Sequence, residues 1–126
     1  MGTIRDRPLI GVVGVCGSGK TTLVNALKPY GLETRHIAQE HSYVPTMWLR
    51  ITNPDYLIFL DASYPETIKR RNLNWTYEEY QEQQRRLAHA RQNCHFYLFT
   101  DPLTPAEVID QVIAFLVENG VKVSHP

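Results

Sequence analysis

An excess of charge of one sign is the first thing this sequence lacks. Thirteen lysines and arginines balance 13 aspartates and glutamates across 126 residues, which excludes general electrostatic binding of nucleic acid or anionic lipid, because both need a strongly basic face. Cysteine is also scarce. Cys16 and Cys94 allow one bridge at most, which points to a core that holds without staples and to a reducing, cytoplasmic setting. No apolar run approaches the length needed to cross a bilayer, so no membrane association is expected. The start, Met1 to Arg7, is charged but no apolar h-region follows it, and Asp6 stands where a myristoylation pattern needs Ser or Thr; neither a leader nor a lipid anchor is expected. Repeats, low-complexity tracts and Pro/Gly linkers are missing as well, and 1–126 reads as one domain.

What is present is an alternation of short apolar runs with helical patterns. At this length folding removes roughly two-thirds of the chain's surface from water, and 43% of the residues are hydrophobic, enough for a core. Leu9 to Val13 is continuously apolar, as suits a strand buried on both faces of a parallel sheet. Lys20 to Leu27 then places Leu23, Ala26 and Leu27 at helical spacing before Pro29 and Gly31. Further strands are expected at Thr34 to Ala38, Tyr56 to Leu60 and His95 to Phe99, with a helical turn or two at Pro45 to Arg50. Ser63 with Glu66, Thr76 with Glu79 and Thr104 with Glu107 each spell a capping box. The helix from Thr76 to Gln92 carries only a thin apolar stripe and is expected on the surface; the one from Pro105 to Asn119 has an apolar face and stops at Gly120. The pattern predicts an α/β fold, a small parallel sheet of four or five strands with helices on both faces.

One segment carries explicit chemistry. Gly14-Val15-Cys16-Gly17-Ser18-Gly19-Lys20-Thr21 fits G-x-x-x-x-G-K-[ST] at every fixed position, between an expected strand and an expected helix. Glycines let successive backbone N–H groups converge, and a helix start adds partial positive charge at the same point, so the segment is a candidate anion cradle. Gly14, Gly17, Ser18, Gly19, Lys20, Thr21 and Thr22 are the candidate binding residues: Lys20 for the outer phosphates, the Thr21 hydroxyl for Mg²⁺.

These residues resemble the phosphate loop of the P-loop NTPases, and the resemblance implies an NTPase-type fold that binds a nucleoside triphosphate with Mg²⁺. The strand Tyr56 to Leu60 ending in Asp61, the capped segment from Ser63, the basic run Lys69-Arg70-Arg71 and the ending Phe99-Thr100-Asp101 are similar to the nucleotide-kinase-like branch of that superfamily. That likeness implies arginines leading into a mobile lid and a purine near the last loop. It also shows a departure, since only Tyr30 to Glu33 stands where such kinases insert an acceptor-binding helical segment. A small-molecule acceptor is then left with the loop Gln39-Glu40-His41-Ser42-Tyr43, just past an expected strand.

Two acids compete for the magnesium carboxylate. Asp61 ends an apolar strand and is slightly favoured; Glu40 is the alternative, or a water-orienting group. Arg70 and Arg71 are candidates to neutralise a transferred phosphoryl group, and Lys20 joins them as a catalytic candidate. Arg85 and Arg86 read as surface partners of Gln81 and Glu82. No N-K-x-D follows a strand, so ATP is favoured over GTP. His36 and His41 lack the local spacing of a zinc site, no G-x-S-x-G marks a hydrolase elbow, and Cys16 reads as a small loop residue. Two functions remain, a small phosphotransferase or ATPase and a nucleotide-dependent binding module with a protein partner.

Overall fold

The computed structural model describes residues 7–72 and 74–125; the expectations at Met1 to Asp6 fall outside them. Strand β1 (Leu9–Gly14) leads through the glycine-rich loop into α1 (Lys20–Leu27). There follow β2 (Glu33–His36), β3 (Tyr56–Asp61), α2 (Tyr64–Arg71), α3 (Tyr77–Arg86), α4 (Ala88–Asn93), β4 (Phe96–Phe99) and α5 (Pro105–Glu118). The strands form one sheet of four, all parallel, in the order β2-β1-β3-β4. The two continuously apolar runs take the centre: every residue of β1 is buried, as is all of β3 after Tyr56. The edge strands β2 and β4 carry the exposed positions.

Side-chain alternation on the central strands builds two cores. Ile10, Val12, Ile58 and Leu60 pack with Leu23, Leu27, Val112 and Leu116 of α1 and α5 on one face. Val13, Leu57 and Phe59 meet Trp48, Leu87 and Ala90 on the other. The sheet is thus covered on both sides, as parallel pairing requires. The expected turn at Pro45 to Arg50 is a single wide helical turn at Trp48–Thr52, closed by Asn53 in a left-handed conformation.

The polar stretch from Thr76 to Gln92 departs from expectation. It is two helices broken at Leu87, whose amide shares the Gln83 and Gln84 carbonyls, and Leu87 and Ala90 are fully buried in the second core. It is also pinned by aromatic rings. Tyr80 lies 5.6 Å from Tyr64 and 6.0 Å from Trp75, and its hydroxyl donates to the Ala62 carbonyl at 2.7 Å. Tyr80 and Leu87 of the thin stripe visible in the sequence pack as that stripe implies, with Ala90 rather than Ala88 beside them, and a tyrosine can bury part of its ring and still satisfy its hydroxyl. Among the described residues no helix is long and apolar enough to cross a membrane.

The helix starts form as their residues dictate. Thr76 and Thr104 make complete capping boxes, whereas Ser63 accepts from Glu66 N at 3.4 Å and donates its own amide to Asp101 Oδ1 at 2.9 Å. At α5 the Thr104 amide, then its hydroxyl, hold Glu107 below the usual carboxylate range, so this end of the box contributes above that range and fades as pH falls through it. Thr104→Ala removes the acceptor for the Glu107 amide and is expected to cost about 1 kcal/mol. Urea unfolding reads this as a lower midpoint at unchanged slope.

Candidate functional site

Parallel strands place their carboxyl ends on one edge, and the loops leaving β1, β2, β3 and β4 all emerge there. The glycine-rich loop occupies the middle. A Cβ on Gly14 would stand 2.6 Å from Ser18 Oγ and closer still to the Leu60 carbonyl, so β1 and β3 meet tightly only because none is there. Gly17 has φ +85° and would press a Cβ to 3.0 Å from the Thr67 backbone of α2. Ser18 N donates to Val15 O at 3.1 Å, closing the turn. Gly19 starts α1 without a side-chain cap, leaving its first-turn amides in the condition that suits an anion.

Lys20 turns back into this loop. Its ammonium donates to Gly14 O at 2.6 Å and Val15 O at 3.0 Å and pairs with Glu40 Oε2 at 2.9 Å. Lys20 is 6% exposed and Glu40 2%. Two atoms at the loop, Glu40 Oε1 and Ser18 Oγ, are buried polar oxygens without a hydrogen-bond partner, the condition a cation, water or polar ligand relieves. The donor set therefore fits a magnesium-bound anion, with oxygen ligands and an orphaned carboxylate oxygen. Thr21 and Thr22, exposed at the first turn of α1, line the same cleft of ≈ 570 Å³. Leu103, Pro105, Val108 and Ile109 add apolar lining to the same cleft. His36 also lines it; burial first, then the Lys20 ammonium, push its imidazole below the ordinary value, so it is neutral at pH 7.

Asp61, favoured in the sequence for the metal, is brought elsewhere. Its Oδ2 accepts from Tyr97 at 2.6 Å and Arg91 at 3.1 Å, and its Oδ1 from Gln84 at 3.0 Å and the Ala62 amide at 3.0 Å. The carboxylate does not line the cleft. The reason is alternation: Asp61 follows Leu57 and Phe59 on the face toward α3 and α4, where it ties four segments together. Gln39 likewise leaves the expected acceptor loop. It is fully buried, donating to Val44 O and Arg86 O and accepting from Trp48 N.

Arg70 and Arg71 do line the cleft. Arg70 is held, donating to Thr100 Oγ1 at 2.7 Å and Thr100 O at 2.6 Å while Glu66 takes its Nε at 3.1 Å. The segment where the resemblance implies a lid folds as α3 and α4, tied by Tyr80 to Ala62 O and by Gln84 to Asp61. Arg85 pairs with Glu82 at 2.6 Å, as helical spacing predicts. Arg86 goes further, donating to Glu40 O at 3.3 Å and stacking on Tyr43 at 4.3 Å. Two contributors had no role assigned from the sequence: Thr100, seen only within the ending Phe99-Thr100-Asp101, bridges Arg70 to Asp61 O and Ser18 O, and Gln83, which carried no local signal, grips Cys16. Their partners are tens of residues away along the chain, and only the sheet brings them near.

The Asp61 cluster makes a prediction of its own. Burial, then the hydrogen bond to Asp61, push the Tyr97 hydroxyl up to about 12. A raised folded-state value means the bond stabilises the fold below the ordinary tyrosine value near 10 and is lost as pH rises through about 12. Asp61→Asn is expected to return Tyr97 part of the way and to lower the thermal midpoint. Ultraviolet titration of the tyrosines checks the first and calorimetry the second. No protein-family model and no curated protein matches this sequence.

Proposed function

We propose that this chain binds Mg-ATP at the loop Gly14 to Thr21 and is a small phosphotransferase or ATPase. The observation that carries the reading is the combination at one sheet edge of a complete glycine-lysine-threonine loop, an uncapped helix start, and the orphaned buried oxygens of Ser18 and Glu40. Backbone amides of Gly17 to Thr21 would hold the phosphates. Lys20 would exchange its loop carbonyls for phosphate oxygens while keeping Glu40. Thr21 and Glu40, in place of Asp61, would hold the magnesium and its waters. Magnesium, when bound, supplies neutralisation of charge on the phosphates.

The apolar lining of Leu103, Pro105, Val108 and Ile109 suits the flat face of a base. Arg71, at the cleft wall, is the cation best placed to meet charge that develops late, since Arg70 is tied to Thr100 and Glu66. One observation favours the second reading, a nucleotide-dependent module: the segment after Glu40 exposes Tyr43 (83%) and Ile51 (76%) beside Val44 and Leu49.

Lys20→Ala is expected to weaken Mg-ATP by about 1.5 to 3 kcal/mol, the scale of a charged hydrogen bond. Calorimetric titration measures it, with a thermal melt to confirm folding; equal affinity in both proteins removes the phosphate-loop reading. Glu40→Gln is expected to raise the Mg²⁺ concentration needed for ATP binding, and Asp61→Asn to leave it unchanged. Arg71→Ala should lower single-turnover phosphate release about tenfold, equivalent to about 1.4 kcal/mol, with ATP affinity retained. Wild-type release no faster than that of Lys20→Ala would assign the chain to the module instead.

A further inference from the structure

The nucleotide reading leaves the side chains of Cys16 and His41 without a task, yet both stand beside Glu40. Cys16 Sγ lies 3.8 Å from His41 Nε2, and that nitrogen lies 3.8 Å from Glu40 Oε2. One donor atom from each residue falls within 4.8 Å of the others. A tetrahedral zinc with bonds of ~2.0–2.3 Å separates its ligand atoms by about 3.3–3.7 Å, so small side-chain rotations close the set. Thiol, imidazole and carboxylate together select a thiophilic cation over magnesium, which takes oxygen.

Three further contacts favour the site. Glu40 Oε2 stands 3.8 Å from His41 Nε2 and 2.9 Å from the Lys20 ammonium, while Oε1 is buried and unpartnered, so a cation held by one oxygen leaves the other for Lys20. Gln83 grips Cys16 from both sides, its Oε1 accepting from Cys16 N at 3.0 Å and its Nε2 donating to Sγ at 3.3 Å. A donor aimed at sulfur orients it toward the cluster. His41 has its side chain 60% exposed, which leaves one side of the cluster open to solvent.

We propose that Cys16, His41 and Glu40 form a zinc-type site at the rim of the glycine-rich loop, with a fourth position open to water. Binding forms a metal–sulfur bond and releases the thiol proton to solvent, so affinity rises with pH. Because Glu40 also belongs to the magnesium reading above, zinc and Mg-ATP would compete for it, and the cation becomes an inhibitor of that reading's activity. The metal site itself does not rest on nucleotide binding.

Cobalt(II) titrated into the nucleotide-free full chain tests this directly. A thiolate-to-cobalt charge-transfer band is expected in the near ultraviolet, saturating at about one equivalent and bleached by zinc. Cys16→Ser should abolish the band. His41→Ala and Glu40→Gln should each weaken cobalt by at least the roughly tenfold that loss of a supporting partner costs. Cys94→Ser, at a thiol that burial holds above its ordinary value, should leave the band intact. Circular dichroism confirms that each variant folds. No band in wild type, or a band that survives Cys16→Ser, overturns the site. A chain that binds cobalt in this way but not ATP keeps the metal site and loses the phosphate-loop reading; one that binds ATP with no band loses only the metal site.

Discussion

The Lys20 ammonium directs its donors to Gly14 O, Val15 O and Glu40 Oε2, and that arrangement constrains three segments at once. It sets the curl of the loop after β1, the start of α1 and the exit from β2. Burying both charges carries a desolvation penalty that only close pairing and further hydrogen bonds offset. Loss of either partner would leave the other charge buried alone, so the pair demands that β1 and β2 be neighbours in register. The pairing of Val12 with His36 and the bond from Ile37 N to Val12 O deliver Glu40 to its place. The close pass of Gly14 over Ser18 and Leu60 completes the same edge from the β3 side.

Around that pair the two carboxylates diverge in kind. Glu40 lies beyond the last residue of β2, where the backbone turns and no longer alternates, and its side chain enters the cleft with one oxygen unpartnered. Asp61 is still within β3, so its direction is dictated by the pleat, and it meets Tyr97, Arg91 and Gln84 on the far face. A satisfied carboxylate in an aromatic and cationic setting holds structure, whereas an unsatisfied one beside a buried ammonium is poised for a ligand. The polar helices α3 and α4 depend on the first kind. Gln84 and Arg91 anchor to Asp61, Tyr80 to Ala62 and Gln83 to Cys16, which explains how a stretch with so few aliphatic residues packs firmly over the site.

Local signals in the chain suffice for most of its elements. The apolar runs Leu9 to Val13 and Tyr56 to Leu60 became the central strands, Lys20 to Leu27 became a helix at those limits, the helix expected over Pro105 to Asn119 formed over Pro105–Glu118, and two of three capping boxes closed in full. The α/β class and a small parallel sheet, expected with four or five strands and formed with four, are legible for the same reason, because periodicity and turn chemistry act over a few residues. Which side chains meet depends instead on how the strands are ordered and paired. Strand order set Glu40 against Lys20, and the pleat turned Asp61 away. The break at Leu87 turned Leu87 and Ala90 into the second core while most of the helix pair stayed at the surface its composition implies. Cys16 came to face His41 across 25 residues of chain, where adjacent letters had argued against any metal cluster. Each of these is a contact between segments distant in sequence, and its energy depends on register and alternation in a sheet whose order no local pattern encodes.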